Sequence, residues 1–192
     1  MIVLTTPRLL IRDHLPGDLP YHHELMSSDS GMRYLPELKT HTLTQTRENL
    51  AEAIRQQGLA DRRCYFFWIE SRETGSHIGE IGYTVTKKTP LGALADVGYF
   101  IRESCWGHGY TSEALREVLR FAFEENGVYR ISCGCLKENA ASRRVMEKCG
   151  LLREGELKEY QWHEGALKDR LVFRLLRREW QRLQGQAQTF TE

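Results

Sequence analysis

Two glycines, Gly107 and Gly109, stand just before a predicted helix, where they can bring several backbone N–H groups toward one anion. Because glycine has no side chain, the amides of residues 107–112 can converge beside the positive end of the helix dipole, which suits a pyrophosphate. The same two glycines are equally typical of a tight strand-to-helix turn that binds no ligand. The segment lacks the Gly-Lys-Ser/Thr ending of a P-loop and the third glycine of a dinucleotide site, so a different phosphate ligand is needed.

Two polar residues, Asn139 and Ser142, stand near the start of a second predicted helix. Asn139 is a typical helix cap, and Ser142 falls in the first turn. Val145 and Cys149 follow at helical spacing, and Gly150 ends the helix. Capping alone explains Asn139, and a ligand contact is compatible with the same position.

Strands and helices alternate around these two segments. Seven strands are predicted, at residues 8–12, 65–69, 77–86, 96–101, 129–136, 157–162 and 170–176. Four helices are predicted, at residues 19–26, 43–57, 113–122 and 139–149. Hairpins make most neighbours antiparallel, while the strand–helix–strand order around the third helix predicts one parallel pair. The fold class is therefore α/β, with a mixed, mostly antiparallel sheet flanked by helices.

Length and composition are those of one ordinary globular domain. The chain has 192 residues, of which 41% are hydrophobic and 28% charged, and this composition excludes disordered and disulfide-dense proteins. The net charge of +1 gives no basic field for nucleic acid or an anionic membrane. No apolar run approaches the ~20 residues of a membrane span, and the first residues lack a signal-peptide pattern. We expect a cytoplasmic protein with one domain at 1–180 and a polar tail at 181–192.

The spacing of cysteine and histidine argues against disulfides and against a metal. The five cysteines form an odd, scattered set. Cys133 and Cys135 lie on one face of a predicted strand, but no second Cys or His pair at zinc spacing accompanies them. His22 and His23 are adjacent, and helical neighbours point about 100° apart, so they do not easily share an ion. No metal site is expected.

The two segments together resemble the GNAT superfamily of acetyl-coenzyme A-dependent N-acetyltransferases, over most of the chain. The superfamily's loop, Gln/Arg-x-x-Gly-x-Gly/Ala, aligns with residues 106–111, Trp-Gly-His-Gly-Tyr-Thr, with Trp and Thr in its first and last places. In the branch of ribosomal-protein N-terminal acetyltransferases, the loop commonly reads Trp-Gly-x-Gly-Tyr, followed by a small residue and Glu-Ala. This chain resembles that branch, with Glu-Ala at residues 113–114. Residues 139–151 resemble the same branch's Asn-x-x-Ser helix ending in Glu-Lys-x-Gly-Phe.

The resemblance implies a sheet that splays open between residues 96–101 and 129–136, with acetyl-CoA entering there as co-substrate. The implied cofactor contacts are Phe100, Ile101, Arg102, Gly107, His108, Gly109, Tyr110, Thr111, Ser112, Asn139 and Ser142. Backbone N–H groups near Phe100 and Ile101 would polarise the thioester carbonyl. Asn139 would hydrogen-bond the pantetheine arm, with Ser142 near the sulfur.

The leaving thiolate lacks its usual acid in this chain. Many superfamily members carry a tyrosine that protonates it at the place of Met146, a residue with no transferable proton. Ser142 or an ordered water must then protonate the leaving thiolate. That is feasible because a thiol with a pKa near 8.5 needs little help in leaving.

The attacking amine is mostly protonated at pH 7, so a base is useful. Glu80 is the first candidate, and Glu159 and Asp96 are the others. With a turn near Pro90, Glu80 is expected to share a strand face with Val97 and Tyr99, near the acetyl group. A solvated surface carboxylate explains each of the three candidates equally well.

The closing hairpin offers further candidates. A gap-free comparison with the branch places its catalytic glutamate at Gln161, and Glu159, two residues earlier, is expected on the same strand face. The segment 162–164, Trp-His-Glu, lies near the hairpin tip and is expected to face the acceptor.

The resemblance implies direct transfer of the acetyl group to a primary amine, without a covalent acetyl-enzyme. The acceptor is a protein N-terminus or a small amine such as an antibiotic, a polyamine or an amino acid, and the residues do not choose between them. A different class of function is an acetyl-CoA-binding sensor or interaction module without transferase activity. A monomer and a homodimer both stay open.

Overall fold

A computed structural model of the chain describes the backbone of residues 1–189 and the side chains of residues 1–185. The strands are β1 (Val3–Thr5), β2 (Leu9–Asp13), β3 (Cys64–Ser71), β4 (His77–Thr89), β5 (Gly92–Ile101), β6 (Val128–Leu136), β7 (Leu152–His163) and β8 (Ala166–Leu176). The helices are α1 (Leu19–Met26), α2 (Leu43–Gln57), α3 (Tyr110–Arg120), α4 (Ala140–Lys148) and α5 (Arg177–Thr189). Among residues 1–189, no helix is long and apolar enough to cross a membrane.

The eight strands form one mixed sheet in the order β1-β2-β3-β4-β5-β6-β8-β7. Strands β5 and β6 pair in parallel, whereas the β1–β2, β2–β3, β3–β4, β6–β8 and β7–β8 pairs are antiparallel. The chain divides into two compact units, and each unit contains part of β4 and part of β5. The first comprises residues 1–84 and 98–118, and the second comprises residues 85–97 and the described chain from 119 to 189.

The first unit is built on the antiparallel strands β1 to β4. Ile11 pairs with Ile69, and Phe67 pairs with Ile81, and all four side chains are fully buried. Helix α1 packs on α2, and α2 packs on β3. The apolar residues on these elements, with the β-branched and aromatic residues of β3, therefore form its core.

The second unit contains the parallel pair. The β5–β6 ladder runs from Ala93 opposite Val128 to Asp96 opposite Ser132 and ends there. This end point matches the place where the sequence predicts that the sheet opens.

Most predicted elements are confirmed, with longer strands than expected. Helix α3 begins at Tyr110 rather than 113, because Gly109 supplies the carbonyl for its first hydrogen bond, and it ends in one π-helical turn at Phe121–Glu125. The residues predicted as a tail fall in α5 as far as they are described, and residues 190–192 lie outside the described part. Trp180 of α5 is buried, with its ring 5.9 Å from that of Phe123.

Candidate active site

The loop between β5 and α3 has the backbone shape that its glycines predict. Gly107 and Gly109 have φ values of +79° and +80°, in the left-handed region where a side chain would be strained. A Cβ placed on Gly107 would meet nothing within 4 Å, so the backbone there is open. The first helical hydrogen bond runs from the Glu113 N–H to the Gly109 carbonyl, at 3.1 Å. The amides of residues 110–112 thus precede the helical ladder, as an anion site at a helix N-terminus requires.

An ion pair between Arg8, near the start of the chain, and Glu113 of α3 fixes this loop in place. The Arg8 Nε donates to Glu113 Oε2 at 2.7 Å, and the Arg8 Nη1 donates to the His108 carbonyl at 3.1 Å. Thr6 Oγ1 donates to Glu113 Oε1 at 2.6 Å. The Arg8 guanidinium also lies over the Tyr110 ring, 4.6 Å from its centroid. Sequence reasoning missed Arg8 and Thr6, since no local spacing links them to a helix more than 100 positions away.

The residues at the end of β5 are tied into the first unit. Phe100 and Ile101 are buried, and the Ile101 carbonyl accepts the Trp106 indole N–H at 2.9 Å. The Arg102 N–H donates to the Ile78 carbonyl at 3.0 Å. The Arg102 guanidinium pairs with Glu24 of α1. These contacts fix the direction in which the chain enters the glycine loop.

The start of α4 confirms the predicted helix cap. Asn139 Oδ1 accepts the Ser142 N–H at 3.0 Å. Burial raises the pKa of the Cys135 thiol, and a hydrogen bond with Ser142 partly offsets that rise. Met146 is fully buried, so position 146 contributes packing and no proton.

Glu80 is fully buried in the first unit. Its Oε1 lies 2.7 Å from His22 Nδ1, and His22 Nε2 lies 3.0 Å from the amide oxygen of Asn49. Desolvation lowers the pKa of His22, but the bonds to Glu80 and Asn49 outweigh it and raise the pKa overall. The carboxylate and the imidazole therefore form one hydrogen-bonded acid–base pair.

The face that Glu80 occupies follows from the strand pairing. Glu80 lies directly opposite Trp68 in the β3–β4 ladder. Phe66, two residues before Trp68, shares that face. The ring of Phe100 lies 5.7 Å from the ring of Phe66, so Glu80 and Phe100 are on the same face of the sheet.

The expectation that Glu80 shares a face with Val97 and Tyr99 is therefore wrong. A turn centred on Pro90 pairs residues that are equally distant from it, which sets Glu80 opposite Phe100. Such a turn places even-numbered residues of β4 opposite even-numbered residues of β5, so an even-to-odd pairing assigns Glu80 to the wrong face.

Glu159 lies in a bulge of β7. Residues 158–160 stand opposite Asp169 alone, and Glu159 has a left-handed φ of +47°. Its N–H donates to Asp169 Oδ1 at 3.1 Å. Because the bulge breaks the strand alternation, simple spacing does not assign Glu159 to the face of Gln161.

Three other predicted residues have clear positions in the second unit. Asp96 lies opposite Ser132, at the last pair of the β5–β6 ladder. Burial raises the pKa of Asp96, and Arg130 lowers it in part. At the hairpin tip, Trp162 is 67% exposed as expected, whereas His163 is buried.

Comparison with known proteins gives a consistent result. Residues 8–152 match the family described as acetyltransferase (GNAT) domain. The N-acetyltransferase YnaD of Bacillus subtilis is 30% identical, over 92% of this chain and 98% of its own length.

Two solved structures share the fold. The ribosomal-protein-S5-alanine acetyltransferase of Vibrio fischeri has a TM-score of 0.81 at 18% identity, over 94% of this chain and 99% of its own. The spermidine N-acetyltransferase of Vibrio cholerae, solved with CoA and spermine, has a TM-score of 0.79 at 20% identity, over 92% and 99%. With the glycine loop and its matching family domain, the chain belongs to the GNAT acetyltransferase family.

Proposed function

We propose that the protein moves the acetyl group of acetyl-CoA directly to a primary amine. The observation that carries the proposal is the loop of residues 107–112, where two left-handed glycines precede the first hydrogen bond of α3. Backbone amides at a helix start recognise phosphate oxygens without a cationic side chain. The pyrophosphate of acetyl-CoA is the anion assigned to this loop.

The thioester end of the cofactor is assigned to the start of α4. Asn139 has a second role there, as partner of the pantetheine arm, beside its role as the cap of α4. The Ser142 hydroxyl is assigned to the leaving thiolate, since the buried Met146 has no proton to give. The amine then attacks the thioester directly and the thiolate leaves, and holding both reactants supplies much of the rate increase.

The base is assigned to Glu80, acting with His22. An alkylamine with a pKa near that of lysine, about 10, must lose a proton before it attacks. The 2.7 Å contact between Glu80 and His22 lets the pair share that proton. Glu159 and Asp96 are the alternative carboxylates. Asp96 is favoured over Glu159 by its position at the end of the parallel ladder and by its raised pKa.

The acceptor class is a primary amine, on a protein N-terminus or on a small molecule. The structural neighbours named above act, by their names, on a ribosomal protein and on spermidine. Both acceptors present a primary amine, which is the chemistry that the proposal requires. We also propose a cytoplasmic location, because all five cysteines are free thiols, as a reducing compartment maintains them.

The proposal is tested by release of the CoA thiol from acetyl-CoA in the presence of amines. The panel contains spermidine and short peptides with free N-termini, each matched with a fully N-methylated analogue that cannot be acetylated. We expect thiol release with at least one amine and none with its analogue. Binding of acetyl-CoA with no release across the panel would favour the sensor function instead.

A further inference from the structure

Three fully buried side chains from three different elements meet in the first unit. His14 follows β2, His22 belongs to α1 and Glu80 belongs to β4. One ligand atom from each lies within 4.8 Å of the other two. His22 Nδ1 is 2.7 Å from Glu80 Oε1, and His14 Nε2 is 3.8 Å from Glu80 Oε2. Two imidazoles and one carboxylate are a common ligand set for divalent transition metals.

Three atoms of this cluster have no hydrogen-bond partner among the described residues. They are His14 Nδ1, His14 Nε2 and Glu80 Oε2, and both side chains have no exposed surface. Of these atoms, His14 Nε2 and Glu80 Oε2 face each other at 3.8 Å. Buried polar atoms are nearly always satisfied, so an unsatisfied pair that faces each other needs an explanation. A cation between them satisfies both lone pairs and compensates the buried carboxylate.

The second nitrogen of His22 has an oxygen behind it. His22 Nε2 is 3.0 Å from Asn49 Oδ1, so a neutral His22 with its proton on Nε2 presents the Nδ1 lone pair to an ion that replaces the hydrogen bond to Glu80. Metal-binding histidines have this arrangement, in which an oxygen fixes the tautomer and directs the other nitrogen at the ion. His14 Nδ1 lies 3.6 Å from Asp18 Oδ2, too far for a hydrogen bond.

The rings are held in place by packing. The His14 ring stacks on Phe66, with centroids 5.2 Å apart, and meets the edge of the His22 ring at 5.4 Å. A tetrahedral ion with bonds of about 2.0–2.2 Å separates its ligand atoms by about 3.4 Å. The two observed separations, 2.7 and 3.8 Å, lie on either side of that value. Shifts of less than ~1 Å therefore convert this cluster into a metal site.

We propose that His14, His22 and Glu80 form a binding site for one divalent transition-metal ion of the zinc class. From sequence, no metal site was expected, because no second Cys or His pair at zinc spacing accompanies Cys133 and Cys135 and because the adjacent His22 and His23 do not easily share an ion. Only the fold brings His14, His22 and Glu80 together. Asn49 is a positioning residue for His22, since it touches the imidazole and not the ion.

The proposal is distinguishable from the proposed transferase function, because metal binding is measured without substrate. A metal on Glu80 removes that carboxylate from the amine. Full transferase activity of the zinc-loaded protein would count against Glu80 as the base and would leave the metal site intact.

The chain provides its own control cluster. Glu138, His163 and Glu164 also place one ligand atom each within 4.8 Å of one another. That cluster belongs to the second unit, its two carboxylates are exposed, and it contains one histidine instead of two. A His163→Gln variant therefore removes a competing site without touching the proposed one.

The experiment titrates Co²⁺ into chelator-treated full-length protein and follows the visible d–d absorption. We expect one equivalent of Co²⁺ to bind, to be displaced by Zn²⁺, and to be retained in His163→Gln. His14→Phe and Glu80→Gln should abolish the signal. Asn49→Ala should weaken affinity about 10- to 100-fold, as loss of an outer partner does. Binding that survives in Glu80→Gln, or that disappears in His163→Gln, overturns the proposal.

A second measurement needs no variant that must fold. X-ray absorption of the zinc-loaded wild-type protein counts the imidazoles on the ion. Two imidazoles support the site of His14 and His22, whereas one imidazole assigns the ion to His163. Failure of the wild-type protein to hold any Zn²⁺ after dialysis overturns the proposal as well.

Discussion

Arg8 and Glu113 are 105 positions apart in sequence, and their side chains form a charged hydrogen bond of 2.7 Å at the start of α3. The same guanidinium donates to the His108 carbonyl, between the two left-handed glycines. The loop assigned to pyrophosphate is therefore fixed in place by Thr6 and Arg8, which lie just before β2. A preorganised loop loses less entropy when the cofactor binds.

Removing the guanidinium should weaken cofactor binding. In Arg8→Ala the His108 carbonyl and the Glu113 carboxylate lose their partner, and we expect the Kd for acetyl-CoA to rise roughly 5-fold, as for a partly exposed ion pair of about 1 kcal/mol. Calorimetry measures the Kd for acetyl-CoA in both proteins. Arg55→Ala is the matched control, since Arg55 pairs with exposed Glu52 on α2. Equal effects of both variants would show that Arg8 has no specific role at the loop.

The Glu113 contacts should also make stability depend on pH. Desolvation raises the Glu113 pKa, but hydrogen bonds from Thr6 and Arg8 outweigh it and lower the pKa overall. A lowered pKa means that the stabilisation is present above the unfolded value, about 4.5, and is lost as pH falls through the folded value. Chemical denaturation should show wild type more stable than Glu113→Gln near pH 7, with the difference shrinking below pH ~4. A constant difference across that range would contradict the account.

Charge in the glycine loop should prevent cofactor binding. Gly109→Asp and Gly109→Asn introduce side chains of nearly the same size, and asparagine tolerates a φ of +80° better than most residues. Comparing them separates charge from backbone strain. We expect the Asp variant to bind acetyl-CoA at least ~10-fold more weakly than the Asn variant, because its carboxylate repels the phosphates. Equal affinities, with both variants folded, would remove the loop from the mechanism.

The two positions of α4 should respond differently to substitution. Ser142→Ala removes a hydroxyl assigned to the thiolate and should lower kcat more than it raises the Kd for acetyl-CoA. Met146→Leu keeps the buried volume and should change either constant little, with a stability cost under ~1.5 kcal/mol. Steady-state kinetics with one fixed amine makes the comparison. Full turnover in Ser142→Ala would limit that residue to a structural role beside Cys135.

Three carboxylates compete for the role of base. We expect Glu80→Gln to lower kcat/KM by about 10²-fold, the lower end for a general base. Glu159→Gln should have little effect, since Glu159 lies in the β7 bulge. Both variants are assayed in the presence of a chelator, so that no metal occupies the His14–His22–Glu80 cluster. A large loss in Glu159→Gln or Asp96→Asn, with Glu80→Gln active, would move the base to the second unit.

Local patterns in the sequence predicted most helices and strands. They did not predict contacts between residues that are far apart in the chain. Helix α1 and the Asn139 cap depend on neighbours within a few residues, so periodicity and capping rules were sufficient. The face of Glu80 depended on the register of a hairpin, and the environment of Glu159 depended on a bulge. The bulge has no signal in residue type alone, whereas a turn near Pro90 already sets Glu80 opposite Phe100.

The candidate site also contains some features that local sequence patterns predict and others that depend on long-range contacts. The glycine loop was readable because only glycine suits its two left-handed positions. The contact of Arg8 with Glu113 and the meeting of His14, His22 and Glu80 join segments distant in the chain. No local pattern in the sequence relates residues that are so far apart in the chain.

Acetyl transfer from acetyl-CoA to a primary amine is tested by measuring the mass of the acceptor. Spermidine and N-terminal peptides are incubated with acetyl-CoA and the protein, and product mass is measured together with free CoA thiol. The account predicts one added acetyl group on nitrogen for each thiol released, and loss of both in Gly109→Asp. Cofactor binding without any acetylated amine, or thiol release that persists in Gly109→Asp, would contradict it.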